Sequence, residues 1–350
     1  MSGCAGTLRL VSHLEGFDLP ALRARVGSLE QLARVERVVE DDGPGRGARR
    51  VRLVDSAGLD VDVHVDRCLD LGAASYRGVP LAWRSPAGYV APGLVGPGTE
   101  GWLRSFAGGL LTTCGLDTFG APSEDDGQEF PMHGRIGATP AAEVSTWARV
   151  VDGDYELGVS GVVRQSRLFG ADLVLRRRIT TRMGSGRLLL EDTVTNDGFS
   201  PAPHMLLYHC NLGWPLLDQG AEIDVPGART SPRDEAAARG MDTWSRPGPP
   251  QQDFGEQVFR HDLPATEVAV ATVRNPRLGL ELQIEVSADT LPHLYQWTMT
   301  GTGTYVLGLE PANCGGIEGR RATRDAGRLV SLDAGESRHY RVAVTVRPTV

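Results

Sequence analysis

Apolar and polar residues along most of this chain alternate with the two-residue period of β-strands. In "LDVDVHVD" (59–66) the alternation is almost without error, which is typical of a strand with one buried face. Similar runs recur up to the C-terminus, and short clusters of Gly, Pro, Asn and Asp separate them. They include "RRVRLVD", "DLVLRRRITTR", "GRLLLEDTVTN", "VAVATVR", "LGLELQIEV", "GTYVLGLE" and "HYRVAVTVRPT". The pattern predicts many antiparallel strands.

Helical patterns are few. Residues 19–39 ("LPALRARVGSLEQLARVERVV") carry the clearest helix signals, because Ser28 and Gln31 have the spacing of a capping box. Strands and helices do not alternate, which argues against a parallel α/β fold. We therefore expect an all-β fold. An N-terminal extension with short helices (1–45) packs on one large antiparallel β-sandwich (46–350).

Long irregular stretches interrupt the strands. They lie at 85–102 and 115–134, and a third stretch at 226–256 predicts one short helix at "PRDEAAARG". Loops of this length within a compact domain often carry function.

One apolar stretch holds two polar side chains that need an explanation. In "HMLLYHCNLGWPLL" (204–217), strand alternation places Met205, Leu207, His209 and Asn211 on one face. Both faces are largely apolar, so the strand is expected to be covered on both sides. His209 is then either a hydrogen-bonded core histidine or a functional group, and the strand alone does not separate the two.

Two further stretches offer chemistry. "TYVLGLEPANCGG" (304–316) ends an apolar strand with Glu310, and a buried carboxylate there is costly unless it is paired or needed. "FPMHGRIG" (130–137) places His133 and Arg135 in a glycine-flanked loop, where both side chains suit hydrogen bonding to hydroxyls.

Composition excludes several reaction classes. The chain has no lysine, so all 36 basic residues are arginine, and Schiff-base, pyridoxal-phosphate and P-loop lysine chemistry are excluded. The five cysteines (Cys4, Cys68, Cys114, Cys210 and Cys314) are scattered and form no CxxC, which favours neither a disulfide framework nor a cysteine zinc site.

Charge and the N-terminus limit partners and location. The net charge of −8 argues against a nucleic-acid surface. No apolar run approaches the ~20 residues that cross a bilayer. The first residues lack the basic start and apolar stretch of a signal peptide, so we expect a cytoplasmic protein with no membrane partner. The oligomeric state is not indicated.

In order along the chain, "GAASYRGVPLAW", "FPMHGRIGATPA", "LEDTVTNDGFSPAPHMLLYHCNLG", "LPHLYQW" and "YVLGLEPAN" resemble the aldose 1-epimerase, or galactose mutarotase-like, superfamily. The resemblance runs from about residue 50 to the end and is nearest to a poorly characterised aldose 1-epimerase-like branch. It implies the large β-sandwich of that superfamily and a small-molecule carbohydrate substrate. It also implies His209 as general acid, Glu310 as general base and His133 as a contact to sugar hydroxyls.

Other side chains are expected to bind the sugar. Arg135 and Asn211 lie beside the two histidines in sequence, and Trp297 and Trp214 are candidates for an aromatic wall, as are Tyr295 and Trp102. Arg67 could reach sugar hydroxyls or form a salt bridge with Asp66 or Asp70.

The implied chemistry opens and closes a cyclic hemiacetal. A base takes the proton of the anomeric hydroxyl while an acid protonates the ring oxygen, and no metal, nucleotide or other cofactor is required. This scheme expects Glu310 ionised and His209 protonated at rest. Unperturbed pKa values of ~4.3 and ~6.5 centre its working range below neutral pH.

Two alternatives stay open. The same cleft could isomerise, epimerise or cleave an oxidised (keto) sugar with the help of a metal ion. Its ligands would come from His64, His133, His204, His209 and Glu310, although no local ligand spacing supports such a site. The sandwich could also bind carbohydrate without turning it over, since fold does not fix function.

Overall fold

The computed structural model describes residues 17–349, and β-strands are its main regular structure. The helices are short: α1 (Leu19–Arg23), α2 (Gly98–Leu103), α3 (Glu235–Arg239) and α4 (Arg320–Asp325), with 3₁₀ turns at Leu29–Gln31, Gly43–Gly45, Pro92–Leu94 and Ile136–Ala138. None of the helices within 17–349 is long and apolar enough to span a membrane.

The chain contributes its strands to several sheets. In chain order they are β1 (Arg34–Val39), β2 (Arg49–Val54), β3 (Leu59–His64), β4 (Asp70–Tyr76), β5 (Val79–Pro80), β6 (Thr112–Leu116), β7 (Ser123–Asp125), β8 (Gln128–Phe130), β9 (Ala142–Val151), β10 (Asp154–Ser166), β11 (Asp172–Arg182), β12 (Arg187–Asn196), β13 (Ala202–Pro203), β14 (Met205–Gly213), β15 (Glu222–Asp224), β16 (Arg229–Pro232), β17 (Gln257–Asp262), β18 (Val268–Asn275), β19 (Leu280–Ser287), β20 (His293–Gly301), β21 (Thr304–Ala312), β22 (Ser331–Leu332) and β23 (Ser337–Pro348).

Two large antiparallel sheets form the sandwich. One has eight strands in the order β15-β18-β19-β23-β12-β11-β10-β9, and the other has six in the order β16-β17-β20-β21-β14-β6. Their facing side chains belong to one core, which includes Leu188, Leu190, Leu206, Leu212, Leu307, Leu309, Val342 and Val344. The predicted all-β sandwich is confirmed.

The N-terminal third adds a five-stranded sheet, β1 to β5 in chain order. In β3 the side chains of Leu59, Val61 and Val63 are buried in the main core while the polar side chains between them are partly exposed. The alternation of buried and exposed side chains predicted for residues 59–66 is therefore confirmed within β3.

The helical prediction for residues 19–39 is only partly right. Residues 19–23 form α1, and the Ser28 hydroxyl caps a 3₁₀ turn by accepting from the Glu30 N–H at 3.2 Å. Residues 34–39 instead form β1, which pairs with β2 from Arg34 opposite Val54 onward. Three β-branched valines and the open edge of β2 outweigh the helical spacing here. The expected boundary after residue 45 falls inside this sheet, and residues 1–16 of the expected extension lie outside the described residues.

The three irregular stretches contain small pieces of regular structure. The first holds α2, the second holds the β7–β8 hairpin, and the third holds α3. The Asp234 carboxylate caps α3 by accepting from the Ala237 N–H at 3.0 Å, so the short helix predicted at "PRDEAAARG" is confirmed.

Strand β14 is covered on both sides, as its pattern predicts. Leu206 and Leu212 enter the main core, while Met205 and Leu207 pack in a smaller apolar cluster on the opposite face. His209 lies on the face of Met205 and Leu207, away from the main core.

A buried ion pair within the eight-stranded sheet is hydrogen-bonded to the six-stranded sheet. The Arg177 guanidinium on β11 is fully buried and donates to both carboxylate oxygens of Asp192 on β12, from Nε at 2.9 Å and from Nη2 at 2.7 Å. The Tyr208 hydroxyl on β14 donates to the same carboxylate at 2.7 Å. A core-facing side chain of the six-stranded sheet is thereby fixed to the eight-stranded sheet.

The same guanidinium also reaches the N-terminal sheet. Its Nη1 donates to the Cys68 carbonyl at 3.0 Å and to the Thr113 hydroxyl at 2.9 Å, and it lies 3.3 Å from the Asp70 carboxylate. Asp70 in turn accepts from the Thr113 N–H and hydroxyl at 3.0 and 2.6 Å. We call Arg177, Asp192, Tyr208, Asp70 and Thr113 the Arg177 network, which joins the five-, six- and eight-stranded sheets.

Breaking this network should cost much stability. We expect Asp192→Ala to lower the free energy of unfolding by about 3–5 kcal/mol, because it leaves a buried guanidinium without its bidentate partner. Urea denaturation measures the change. Asp154→Ala serves as the control, since the Asp154–Arg182 pair is about half exposed (54% and 52%). That variant should lose about 0–1 kcal/mol. Equal losses in the two variants would contradict a stabilising role for the network.

Candidate functional site

The side chains of His209 and Glu310 meet on the six-stranded sheet. The antiparallel register of β14 and β21, with Cys210 opposite Leu309 and Leu207 opposite Ala312, places the two residues side by side. His209 Nε2 lies 3.1 Å from Glu310 Oε1, and the residues are only 4% and 2% exposed. An imidazole and a carboxyl group therefore share one nearly closed space.

Several polar atoms at this place have no hydrogen-bond partner among the described residues. They are His209 Nδ1, Glu310 Oε1, Asn211 Oδ1 and His133 Nδ1, all of them buried. The short contact to His209 Nε2 thus lacks the alignment of a hydrogen bond. Asn211 is held by its amide nitrogen, which donates to the Gly109 and His209 carbonyls at 3.0 and 2.9 Å. Buried polar atoms are rarely left unpaired, so this concentration indicates a site for a polar ligand.

Aromatic rings surround His209. The ring centroids of Phe106, His133 and Trp297 lie 5.2, 5.4 and 5.5 Å from its imidazole, each close to edge-on. The Glu256 carboxylate fixes the orientation of the Trp297 indole, because it accepts a hydrogen bond from the indole N–H at 2.9 Å. Such a lining of aromatic surface with a few polar groups is typical of small-molecule sites.

The segment 84–109 covers this site. Trp102 of α2 stacks on His133 at 4.7 Å and on Phe106 at 4.5 Å, and Trp83, just before the segment, lies 6.2 Å from Trp297. These side chains close the side of the site that faces away from the sheet.

The loop that carries His133 has a backbone that fixes the imidazole. His133 itself has φ 55°, in the left-handed region, and its N–H donates to the Gly120 carbonyl at 3.0 Å. At Gly134 (φ 76°) a Cβ atom would stand 2.3 Å from the Gly115 carbonyl oxygen, so only glycine fits. Close backbone packing therefore explains why glycine follows His133 in this loop.

Burial dominates the electrostatics of the site. It raises the pKa of Glu310 well above its usual range, with a further contribution from the nearby charge of Glu256. It lowers the pKa of His209 well below its usual range, with a contribution from His133. The pKa of His133 falls to about 4 for the same reason.

Burial therefore opposes the charge states expected for the resting site. Burial favours a protonated Glu310 and a neutral His209 over the expected ionised glutamate and protonated histidine. The sequence does not reveal this, because the cause is the depth of the site. The neutral pair and the ion pair contain the same single proton.

Three predicted binding residues lie away from the His209–Glu310 contact. Arg67 is buried and donates to the carbonyls of Gly137, Val90 and Ser105 at 2.5, 3.1 and 3.3 Å, so it ties loops together. Arg135 is exposed and donates to a backbone carbonyl at 3.1 Å. Trp214 is 66% exposed, one residue beyond the end of β14.

The alternative expected for Arg67, a salt bridge with Asp66 or Asp70, is not formed either. Asp66 pairs with Arg49 at 2.6 Å, and Asp70 faces Arg177. The guanidinium instead donates to the carbonyls of three loops, and buried carbonyls need such donors.

The remaining candidates have structural contacts. Tyr295 lies opposite Glu310 on β20 and packs against Phe119, with ring centroids 6.4 Å apart. His204 is bonded through both ring nitrogens, to the Leu116 carbonyl at 2.9 Å and to the Tyr340 hydroxyl at 2.7 Å. Within residues 17–349, no three His, Cys, Asp or Glu side chains are grouped so that they could hold a metal ion.

Sequence reasoning missed Trp83, Phe106 and Glu256. Trp83 and Phe106 border the first long irregular stretch, and aromatic residues at the ends of such a stretch are the one signal that could have pointed to them. Glu256 lies in the third stretch, where its contact with Trp297 depends on tertiary structure alone.

Solved structures share this fold. The chain is similar to a protein from Klebsiella pneumoniae subsp. pneumoniae MGH 78578 described as a "putative aldose 1-epimerase", at 27% identity and a TM-score of 0.84 over 91% of this chain and 86% of that chain. It also resembles a galactose mutarotase-like protein from Clostridium acetobutylicum (11% identity, TM-score 0.62, 91% and 100% covered) and galactose 1-epimerase from Lactobacillus acidophilus NCFM (12%, 0.58, 91% and 100%).

At the level of sequence families, one model covers most of the chain. No curated protein matches this sequence. Residues 45–346 match the family described as "Domain of unknown function (DUF4432)", and the chain belongs to this family of the galactose mutarotase-like fold.

Proposed function

We propose that this protein interconverts the anomers of a sugar by acid–base catalysis, as an aldose 1-epimerase-type isomerase. The observation that carries the proposal is the 3.1 Å approach of His209 Nε2 and Glu310 Oε1 in a buried space with unpaired polar atoms. One proton donor and one proton acceptor, placed together, are what hemiacetal opening requires.

The proton balance of the reaction fits a neutral pair. Protonated Glu310 gives its proton to the ring oxygen while neutral His209 takes the proton of the anomeric hydroxyl. The bond between C1 and the ring oxygen breaks, and C1 becomes the carbonyl carbon of the open chain. After rotation about C1 the ring closes by the reverse transfers, which return both side chains to their starting state. These roles are the reverse of those that the family resemblance implies.

The other unpaired atoms suit the hydroxyl groups of a sugar. The buried Asn211 Oδ1 can accept from a hydroxyl, and the buried His133 Nδ1 accepts or donates according to its tautomer. The faces of Trp297 and Phe106 offer apolar surface to a ring. Because His209 and Glu310 are almost inaccessible, a sugar reaches them only when Trp102 and Phe106 move aside.

Replacing either member of the pair should abolish most of the rate. We expect Glu310→Gln and His209→Asn each to lower kcat by about 10²-fold or more with sugar binding largely kept, because each removes one positioned proton transfer. Polarimetry or NMR of the anomeric proton on a panel of free sugars measures the rate, with the spontaneous reaction subtracted.

The chain offers matched controls for both variants. Glu281→Gln changes a buried glutamate on β19 that pairs with Arg274 and Arg347, and His261→Asn changes a buried histidine on β17. Both should keep the rate. Near wild-type rates in the two site variants would refute the assigned roles. A wild-type protein that binds sugars but accelerates none would favour the non-catalytic alternative.

The pH profile tests the charge states. The active pair holds one proton, which is lost above the raised pKa of Glu310, and a second proton adds only below the lowered pKa of His209. We therefore expect kcat/KM to be flat through neutral pH, with the acid limb due to His209 and the alkaline limb due to Glu310. A bell-shaped profile between ~4.3 and ~6.5, the unperturbed values, would show that burial does not control the pair.

A further inference from the structure

A second pocket adjoins the His209–Glu310 site. It lies between strands β2 to β4 and the residues 82–109, and its volume is about 790 Å³. That volume is within the range of about 300–1,000 Å³ that small-molecule pockets occupy. We call it the adjoining pocket; His209 and Glu310 are not among its lining residues.

The two spaces share a wall. Trp83 and Phe106 line the adjoining pocket, and the Phe106 ring also stands 5.2 Å from His209. Thr112 lines the pocket from β6 and is the cross-strand neighbour of His209. The adjoining pocket therefore lies next to the His209–Glu310 contact, with the side chains of Phe106 and Thr112 between them.

The charges around this pocket largely cancel. Its lining includes five carboxylates (Glu40, Asp42, Asp60, Asp62 and Asp70) and four guanidinium groups (Arg50, Arg52, Arg67 and Arg84). Arg50 pairs with Glu40 at 2.8 Å and with Asp62 at 2.7 Å, and Arg52 pairs with Asp60. Such a lining offers many hydrogen-bond donors and acceptors without a strong field, which suits a neutral polyhydroxylated group better than a phosphate.

Two aromatic side chains that line the adjoining pocket carry unpaired polar atoms. His64 and Tyr89 stack with ring centroids 3.9 Å apart, and both His64 Nδ1 and the Tyr89 hydroxyl are buried without a partner. Burial lowers the pKa of His64 to about 3, so its imidazole is neutral. Stacked rings with unpaired hydrogen-bonding atoms are the surface that a sugar unit, apolar on its faces and polar at its rim, can satisfy.

We propose that the adjoining pocket holds the second glycosyl unit of a reducing disaccharide, whose reducing unit lies at the His209–Glu310 contact. The inference rests on the proposed function and specifies its substrate class: a neutral disaccharide rather than a free monosaccharide or a sugar phosphate.

A substitution that fills the pocket tests the inference. Ala73 is an exposed residue of β4 that lines the pocket, so Ala73→Trp adds bulk there without entering the core. Val268→Trp, at a 43% exposed position of β18 in the eight-stranded sheet, is the control of equal bulk. Tyr89→Phe removes only the unpaired hydroxyl and keeps the ring stacked on His64.

Rates of anomer exchange are measured for reducing disaccharides, their constituent monosaccharides and the monosaccharide phosphates. We expect the wild type to show at least about a tenfold higher kcat/KM on a disaccharide, which corresponds to about 1.4 kcal/mol. Ala73→Trp should lose that preference with monosaccharide rates kept within about twofold. Tyr89→Phe should lose part of it, and Val268→Trp none.

Three results would overturn the inference: a wild type with no preference for disaccharides, an Ala73→Trp variant that loses both substrates equally, or a preference for the sugar phosphates. If no sugar is turned over, the proposed function fails separately. Calorimetric titration with the same disaccharides then decides the inference. Binding to the wild type that Ala73→Trp abolishes supports it, and no binding to the wild type refutes it.

Discussion

The buried pair of Arg177 and Asp192 is the interaction on which the geometry of this molecule depends. A guanidinium without solvent must find a partner for every N–H, and here the partners come from three sheets. Tyr208 is tied to the pair on the core side of β14, and since side chains alternate, His209 must then project from the other side. Thr113, in the same network, fixes β6 and with it Thr112 beside His209. The position of the imidazole is thus set from the opposite face of its own sheet.

Burial gives the His209–Glu310 site electrostatic properties that differ from those of the protein surface. A carboxyl group and an imidazole that exchange one proton would be hydrated and weakly coupled at the surface, where water screens each charge. Between Trp297, Phe106 and the sheet, burial favours the neutral forms of both side chains. The proposed reaction would move protons between substrate hydroxyls and this pair without a large change of net charge. The same aromatic side chains that bury the pair also block the entry of a ligand.

The sequence predicts those features that depend on local pattern. The strands, the two covered faces of 204–213 and the short helix near 235 follow from spacing, propensity and a capping aspartate. The strand at Arg34–Val39 does not, because pairing with β2 outweighs a helical pattern. The approach of His209 and Glu310 could be expected only through the family resemblance, since no spacing brings β14 and β21 together. Protonation states and the placement of Arg67 depend on burial and on competing carbonyls, which no linear pattern contains.

The steric demand at Gly134 restricts how this protein can change. A side chain there would collide with the Gly115 carbonyl, so any substitution of Gly134 requires the backbone of the His133 loop or of Gly115 to move. Substitutions that alter the site are better placed in the segment 84–109, which covers the site and contributes none of the strands β1 to β23. In laboratory evolution, a library of variants confined to that segment would alter the specificity of the site while leaving the strands of the sandwich unchanged.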